Sequence, residues 1–151
     1  MPKIIKNMSD LQTIIELLIE KAVQNASEIL LAKLQEYIEE DYYKMYSPLF
    51  YQRTRVFFES AVANMTGKSS ASVGIDRLYM SYQYPSKYKY LDGSEGHWTG
   101  EDQVFMADSG FHGNVNIYRD GHFWKDFENF CNDNAINILK TELRKQGLSI
   151  K

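Results

Sequence analysis

The chain has little that could staple or anchor it: a single cysteine, Cys131, and three prolines in 151 residues. One cysteine excludes an internal disulfide framework. Set among aromatic residues, it reads as a small core side chain rather than a reactive thiol. Basic runs are also missing. Lys and Arg are scattered, and the densest group, Lys140, Arg144 and Lys145, sits at the end of a predicted helix, where it complements the helix dipole. With a net charge of −3, this argues against a dedicated nucleic-acid binder. Residues 1–7 hold no apolar h-region, and the run Ile14 to Ile19 is broken by Glu16 and followed by Glu20 and Lys21. Neither a signal peptide nor a membrane span is expected, so the chain should be made in a cytoplasm and stay soluble.

Catalytic signatures are scarce in the same way. Thr66-Gly67-Lys68 is a turn without the rest of a phosphate loop, and no dinucleotide fingerprint occurs. Ser109 lies in Ala107-Asp108-Ser109-Gly110, which lacks the nucleophile elbow. The histidines His97, His112 and His122, with Cys131, Asp92, Asp108 and Asp120 nearby, match no zinc or nuclease spacing. Each adjoins a glycine or an aromatic, as turn and packing residues do. No enzyme activity, cofactor or metal is expected. The competing reading, a metal-dependent nuclease-like enzyme, would take His97, His112 and His122 as ligands.

What the sequence does have is one long helical pattern, from Ser9 to Tyr43. Leu11, Ile14, Ile15, Leu18, Ala22, Ala26, Ile29, Leu30, Leu34, Tyr37 and Ile38 recur at helical spacing, with charged and amide residues largely off the stripe. Ser9 reads as the N-cap and Gln12 as its capping-box partner. About 32 residues of helix, roughly 48 Å long, exceed the roughly 38 Å diameter of a compact domain of this size. Either it curves over its own sheet or breaks near Asn25, or a neighbouring subunit covers what protrudes.

Further on, residues 49–60 can form a short helix with Phe50, Phe57 and Phe58 facing inward. Arg53 and Arg55 beside it read as partners for acids of the long helix rather than as a phosphate site. Residues 61–84 read as strands. Thr66-Gly67-Lys68 is the first turn, Val73 and Ile75 share a face, and the alternation slips at Asp76-Arg77 before resuming through Leu78, Met80, Tyr82 and Tyr84. Residues 85–114 form a long glycine-rich aromatic loop with a helical turn near Glu101 to Ser109. Residues 115–119 read as a closing strand, and 123–146 as a final helix with Gly147 in place to end it. The expectation is one α+β domain: an N-terminal and a C-terminal helix packed on a small antiparallel sheet.

Eleven tyrosines stand out. Tyr37, Tyr42, Tyr43, Tyr46 and Tyr51 form one group, and Tyr79, Tyr82, Tyr84, Tyr88 and Tyr90 another. Tyrosine suits surfaces that are wet before assembly and buried after it. The candidate interface residues are Tyr84, Tyr88, Tyr90, Trp98 and Phe105, with packing inside one subunit as the alternative for the tyrosines.

Several segments in order carry a resemblance. They are the long first helix, Tyr46-Ser47-Pro48 to Tyr51-Gln52-Arg53-Thr54, and the strand pair after it. Next come Trp98-Thr99-Gly100-Glu101 through Gly110-Phe111-His112-Gly113, Phe123-Trp124-Lys125-Asp126-Phe127, Ile138-Leu139-Lys140, and Gln146-Gly147-Leu148-Ser149-Ile150. Together they make the chain similar to the small neck, or tail-completion, proteins of long-tailed bacteriophages, the head–tail connector or minor structural proteins. The resemblance implies a non-enzymatic subunit of a ring oligomer at the head–tail junction. Its partners would be itself and the head-closure and tail-tube or tail-terminator proteins, with no membrane and no sequence-specific nucleic acid. It would reside in the host bacterial cytoplasm during assembly and then in the virion, and the genome could be an active phage or a prophage. A small regulatory binding module encoded by a mobile element is the other non-enzymatic reading.

Overall fold

A computed structural model describes residues 7–44, 55–83, 88–89, 95–96, 99–109 and 122–150. Helix α1 runs from Met8 to Ile38 without a break at Asn25 and passes into a π-helical turn, Glu39–Tyr43. Its 31 residues span about 46 Å. The N-cap is Asn7, whose Oδ1 accepts from the Asp10 N–H at 2.9 Å. The expected cap, Ser9, lies two residues inside and gives its carbonyl to the Thr13 hydroxyl. An asparagine two residues earlier satisfies the same exposed amide, so the helix starts sooner.

A short helix α2, Val56–Glu59, precedes a hairpin of β1, Ala61–Gly67, and β2, Ser70–Ile75. The pairing sets Ala61 opposite Ile75, Ala63 opposite Val73 and Met65 opposite Ala71, with an irregularity between Met65 and Gly67. Opposed residues share a face, so Val73 and Ile75 do lie on one side, packed against the core.

The expected strand through Leu78, Met80 and Tyr82 is instead helix α3, Arg77–Gln83. Asp76 decides this. Its carboxylate accepts from the Tyr79 N–H at 2.9 Å and its carbonyl from the Met80 N–H at 3.2 Å, which is N-cap geometry. Met80 is fully buried while Leu78 is 72% exposed; a strand would put both on one face. Within the expected long loop are two-residue strands β3, Tyr88–Lys89, and β4, Glu95–Gly96, paired antiparallel, and helix α4, Gly100–Ser109. The helical turn expected near Glu101 is thus a ten-residue helix. The expected strand 115–119 and residues 49–54 of the expected short helix lie outside the described residues.

Helix α5, Phe123–Lys145, closes the domain. Gly147 adopts φ +85, its N–H bonds to the Arg144 carbonyl, and the Leu148 N–H bonds to Leu143. This Schellman pattern needs the left-handed residue that glycine supplies. The whole is α+β, as expected, with the small antiparallel hairpin and α5 each packed against α1.

Helices α1 and α5 run antiparallel. Asn25 is hydrogen-bonded to Glu142, and Tyr37 meets Phe130 edge-on with ring centroids 6.4 Å apart. These contacts are twelve residues apart in each helix, in opposite directions. The core gathers around the later half of α1 and the start of α5: Leu34, Ile38, Phe57, Met80, Ala107, Phe123 and Phe127. Phe57 is its centre, with Tyr42 at 5.0 Å and Phe123 at 5.2 Å, both edge-on.

One buried acid ties the last turn of α5 to the middle of α1. Glu142 is 3% exposed. It accepts from Lys145 Nζ at 2.6 Å and from Asn25 Nδ2 at 3.3 Å. Lys145 and, after it, Asn25 hold its pKa below the ordinary 4.5 against the opposing effect of burial. A carboxylate with a depressed folded pKa stabilises above its unfolded pKa and loses that contribution as pH falls through the folded value. Denaturant midpoints should therefore fall as pH drops from 6 towards the carboxylate range. The Glu142→Gln variant should show a shallower fall than the parent; parallel curves would mean that Glu142 does not titrate with folding.

Candidate interaction surfaces

The first surface follows from the mismatch between α1 and the core. Extrapolating the α1–α5 register, Lys145 comes level with Ala22. The stretch Met8–Lys21 therefore runs past the helical end of α5. The hairpin accompanies it only part of the way, Lys68 near its tip reaching Glu16 at 3.2 Å. Among Met8, Leu11, Ile14, Ile15, Leu17, Leu18 and Ile19 none is buried, and Met8 and Leu17 are 78% and 51% exposed. The first buried side chain of the helix is Ala22.

The second surface is a groove of about 410 Å³ with α1 as its floor. Val23, Ala26 and Leu30 form that floor, Ala71 and Val73 one wall, and Ala135 and Leu139 part of the other. Small side chains on three elements keep it open, a pattern that separate elements do not reveal in sequence. Cys131 also lines it, half-buried, and burial, with the charge of Glu128, pushes its thiol pKa up. That suppresses the nucleophilic thiolate and fits the packing role expected of it.

The third is a cavity of about 670 Å³ lined by Ile75, Val104, Phe105 and Trp124, together with Arg77, Glu101 and Asp108. Arg77 and Glu101 pair at 2.9 Å. Gly100 packs its backbone onto α3 and takes a hydrogen bond partner there, its N–H donating to Ser81 Oγ at 2.7 Å. Asp108 joins α4 to α5: its Oδ1 accepts from the Trp124 N–H at 3.1 Å and its carbonyl from the His122 N–H at 2.9 Å. His122, at φ 60, gives α5 no side-chain cap of its own, so an acid sixteen residues upstream from Trp124 supplies it.

Of the five candidate interface residues, Phe105 lies on α4 and is 72% exposed beside this cavity. Tyr88 falls in β3. Tyr84, Tyr90 and Trp98 lie outside the described residues. His97 and His112 do too, while His122 is the residue before α5. Among the described residues no three His, Cys, Asp or Glu side chains are grouped to hold a metal ion. Nor, among them, is any helix long and apolar enough to cross a membrane.

The described members of the first tyrosine group, Tyr37, Tyr42 and Tyr43, turn inward, and Tyr46 and Tyr51 lie outside the described residues. Tyr37 packs on Phe130, and Tyr42 on Phe57 and Tyr43. Tyr43 accepts from the Phe58 N–H at 3.4 Å and lies under the Arg55 guanidinium, 4.5 Å from its ring. Arg55 also reaches Glu39 at 2.6 Å, the pairing with the long helix that its position suggests; Arg53 is outside the described residues. The π-helical turn carries both tyrosines. Asp41 in the same turn has its pKa raised by burial, and further by Asp126 and Glu40. Its Oδ2 is buried without a hydrogen-bond partner among the described residues.

The chain matches the YomN family over residues 7–145. It belongs to the YomN family. That family is phage-derived, which makes this a phage-related protein, the coarser part of what the sequence resemblance implies. No curated protein and no solved structure matches it.

Proposed function

We propose that this YomN-family protein is a non-enzymatic virion subunit of the head–tail junction, of the neck or tail-completion type. It works through protein–protein contacts in a ring-type assembly. The observation that carries the reading is the thinly covered first half of α1, where Met8, Ile15 and Leu17 are exposed and Leu11, Ile14, Leu18 and Ile19 only half-buried, on a helix that extends beyond the core that its own chain supplies. Apolar surface of this kind is stabilised by burial against another protein. The phage-derived family supplies the setting. Self-contact, head-closure proteins and tail-tube or tail-terminator proteins are the partners the reading requires, first in the host cytoplasm and then in the particle.

Deleting the gene from its phage or prophage and imaging induced lysates tests this. The expected result is filled heads and separate tails, with infectivity restored by the gene in trans. Normal yields of joined, infectious particles would overturn it.

A further inference from the structure

Three acids in a row, Glu39, Glu40 and Asp41, open the π-helical turn that ends α1. The negative end of the helix dipole disfavours carboxylates there. Two of the three have a cation: Arg55 reaches Glu39 and Lys44 reaches Glu40. Asp41 has none among the described residues, and its buried Oδ2 lacks a hydrogen-bond partner. Across from it, Asp126 is exposed in the first turn of α5, where the positive end of that helix's dipole favours its charge. Asp126 and Glu40 place like charge around Asp41, while His122, the residue before α5, adds the opposite sign when protonated. On the side of α2, Arg55 is held by Glu39 and by the rings of Tyr43 and Phe58, and Glu59 accepts from the Tyr79 hydroxyl. Tyr42, next to Asp41, packs on Phe57, which meets Phe123 of α5. The turn that carries the unpaired acid is therefore part of the contact between α1 and α5.

We infer that Asp41 is a proton-operated latch between the end of α1 and the start of α5: neutral, it seats the π-helical turn, and ionised, it loosens it. A buried oxygen without a partner costs far less in a neutral carboxyl than in a carboxylate. Burial raises the pKa of Asp41 above the ordinary 3.8, and Asp126 and Glu40 raise it further. A group with a raised folded pKa stabilises fully below its unfolded pKa and loses that contribution as pH rises through the folded value. Acid therefore tightens this end of the helix pair, and the approach to neutrality relaxes it. Glu142, towards the other end of the pair, has the opposite sign, since its contribution is lost as pH falls. One pair of helices thus answers protons in opposite directions at its two ends. The latch does not rest on the proposed function.

The test is thermal unfolding of the full chain from about pH 4 to about pH 8, with Asp41→Asn as the neutral mimic. The variant is expected to melt at least about 2 °C above the parent near neutrality. The gain should shrink towards zero in acid, where Asp41 of the parent is itself neutral. Asp126→Asn, at an exposed position, should give a smaller gain of the same sign. Amide exchange in the parent, read as protection factors, locates the effect: residues 39–44 should be at least about threefold better protected in acid than at neutrality. In Asp41→Asn that difference should vanish. A variant that melts below the parent at neutrality, or above it by the same margin at every pH, overturns the inference. So does protection of residues 39–44 in the parent that is independent of pH.

Discussion

Phe57→Ala is expected to lower stability by about 4 kcal/mol. Phe57 is 1% exposed and comes from a helix of only four residues, α2. Its ring joins the end of α1, through Tyr42, to the start of α5, through Phe123. Removing it deletes the transfer energy of the ring and leaves a cavity bordered by two edge-on aromatic contacts, each worth about 0.5–1.5 kcal/mol beyond area. Urea unfolding at neutral pH measures the loss, which should appear as a lower midpoint with little change in slope. Phe57→Leu, which keeps much of the volume, should recover more than half of it. A loss below about 1 kcal/mol for the alanine would mean that Phe57 is not at the centre of the core.

Gly100→Ala is expected to cost about 3 kcal/mol, through overpacking, although it adds a single methyl group. A Cβ at residue 100 would stand 2.1 Å from the Arg77 carbonyl oxygen and 2.8 Å from its carbon. Both are backbone atoms, so no side-chain rotation relieves the clash. Helix α4 must then move off α3, losing the Gly100–Ser81 hydrogen bond and displacing Ala107 from the core. Gly74→Ala is the control. Its Cβ would meet nothing within 4 Å, and the substitution should change stability by less than about 1 kcal/mol. Thermal melts of the two variants separate the effects: at about 2–4 °C per kcal/mol for this size, Gly100→Ala should melt roughly 9 °C below the parent. Equal melting temperatures would contradict the α3–α4 contact.

The two long helices were legible because their signals are local: periodicity over many turns, and Gly147 at the position where the chain must enter the left-handed region. The hairpin was legible from its turn and from Val73 and Ile75 in phase. Helix α3 was not, since Leu78, Met80 and Tyr82 alternate over a segment too short to separate period 2 from period 3.6. The deciding signal, Asp76 as an N-cap, is one residue long. Ser9 attracted the start of α1 for the same reason that Asn7 holds it, as both residue types accept from an exposed helical amide. What sequence could not show is the joining of distant segments. The capping of α5 by Asp108, the seating of Gly100 on Arg77, and the groove among Ala26, Ala71 and Ala135 depend on tertiary approach. The tyrosines illustrate the limit: composition marks them as contact residues, and packing alone decides that Tyr37 and Tyr42 make their contacts inside the chain. By contrast, the overlong first helix was readable from length and periodicity, and it is the feature on which the interaction surface rests.

On the proposed function, α1 has two halves with different roles, one packed by its own chain and one covered by another protein. Amide hydrogen exchange along α1 at low and high protein concentration tests it most directly. Residues 26–38 should exchange only with global unfolding at both concentrations. Residues 11–20 should exchange by local fraying when dilute and become markedly slower when concentrated. Protection that is uniform along the helix and independent of concentration would show that its two halves do not differ in this way.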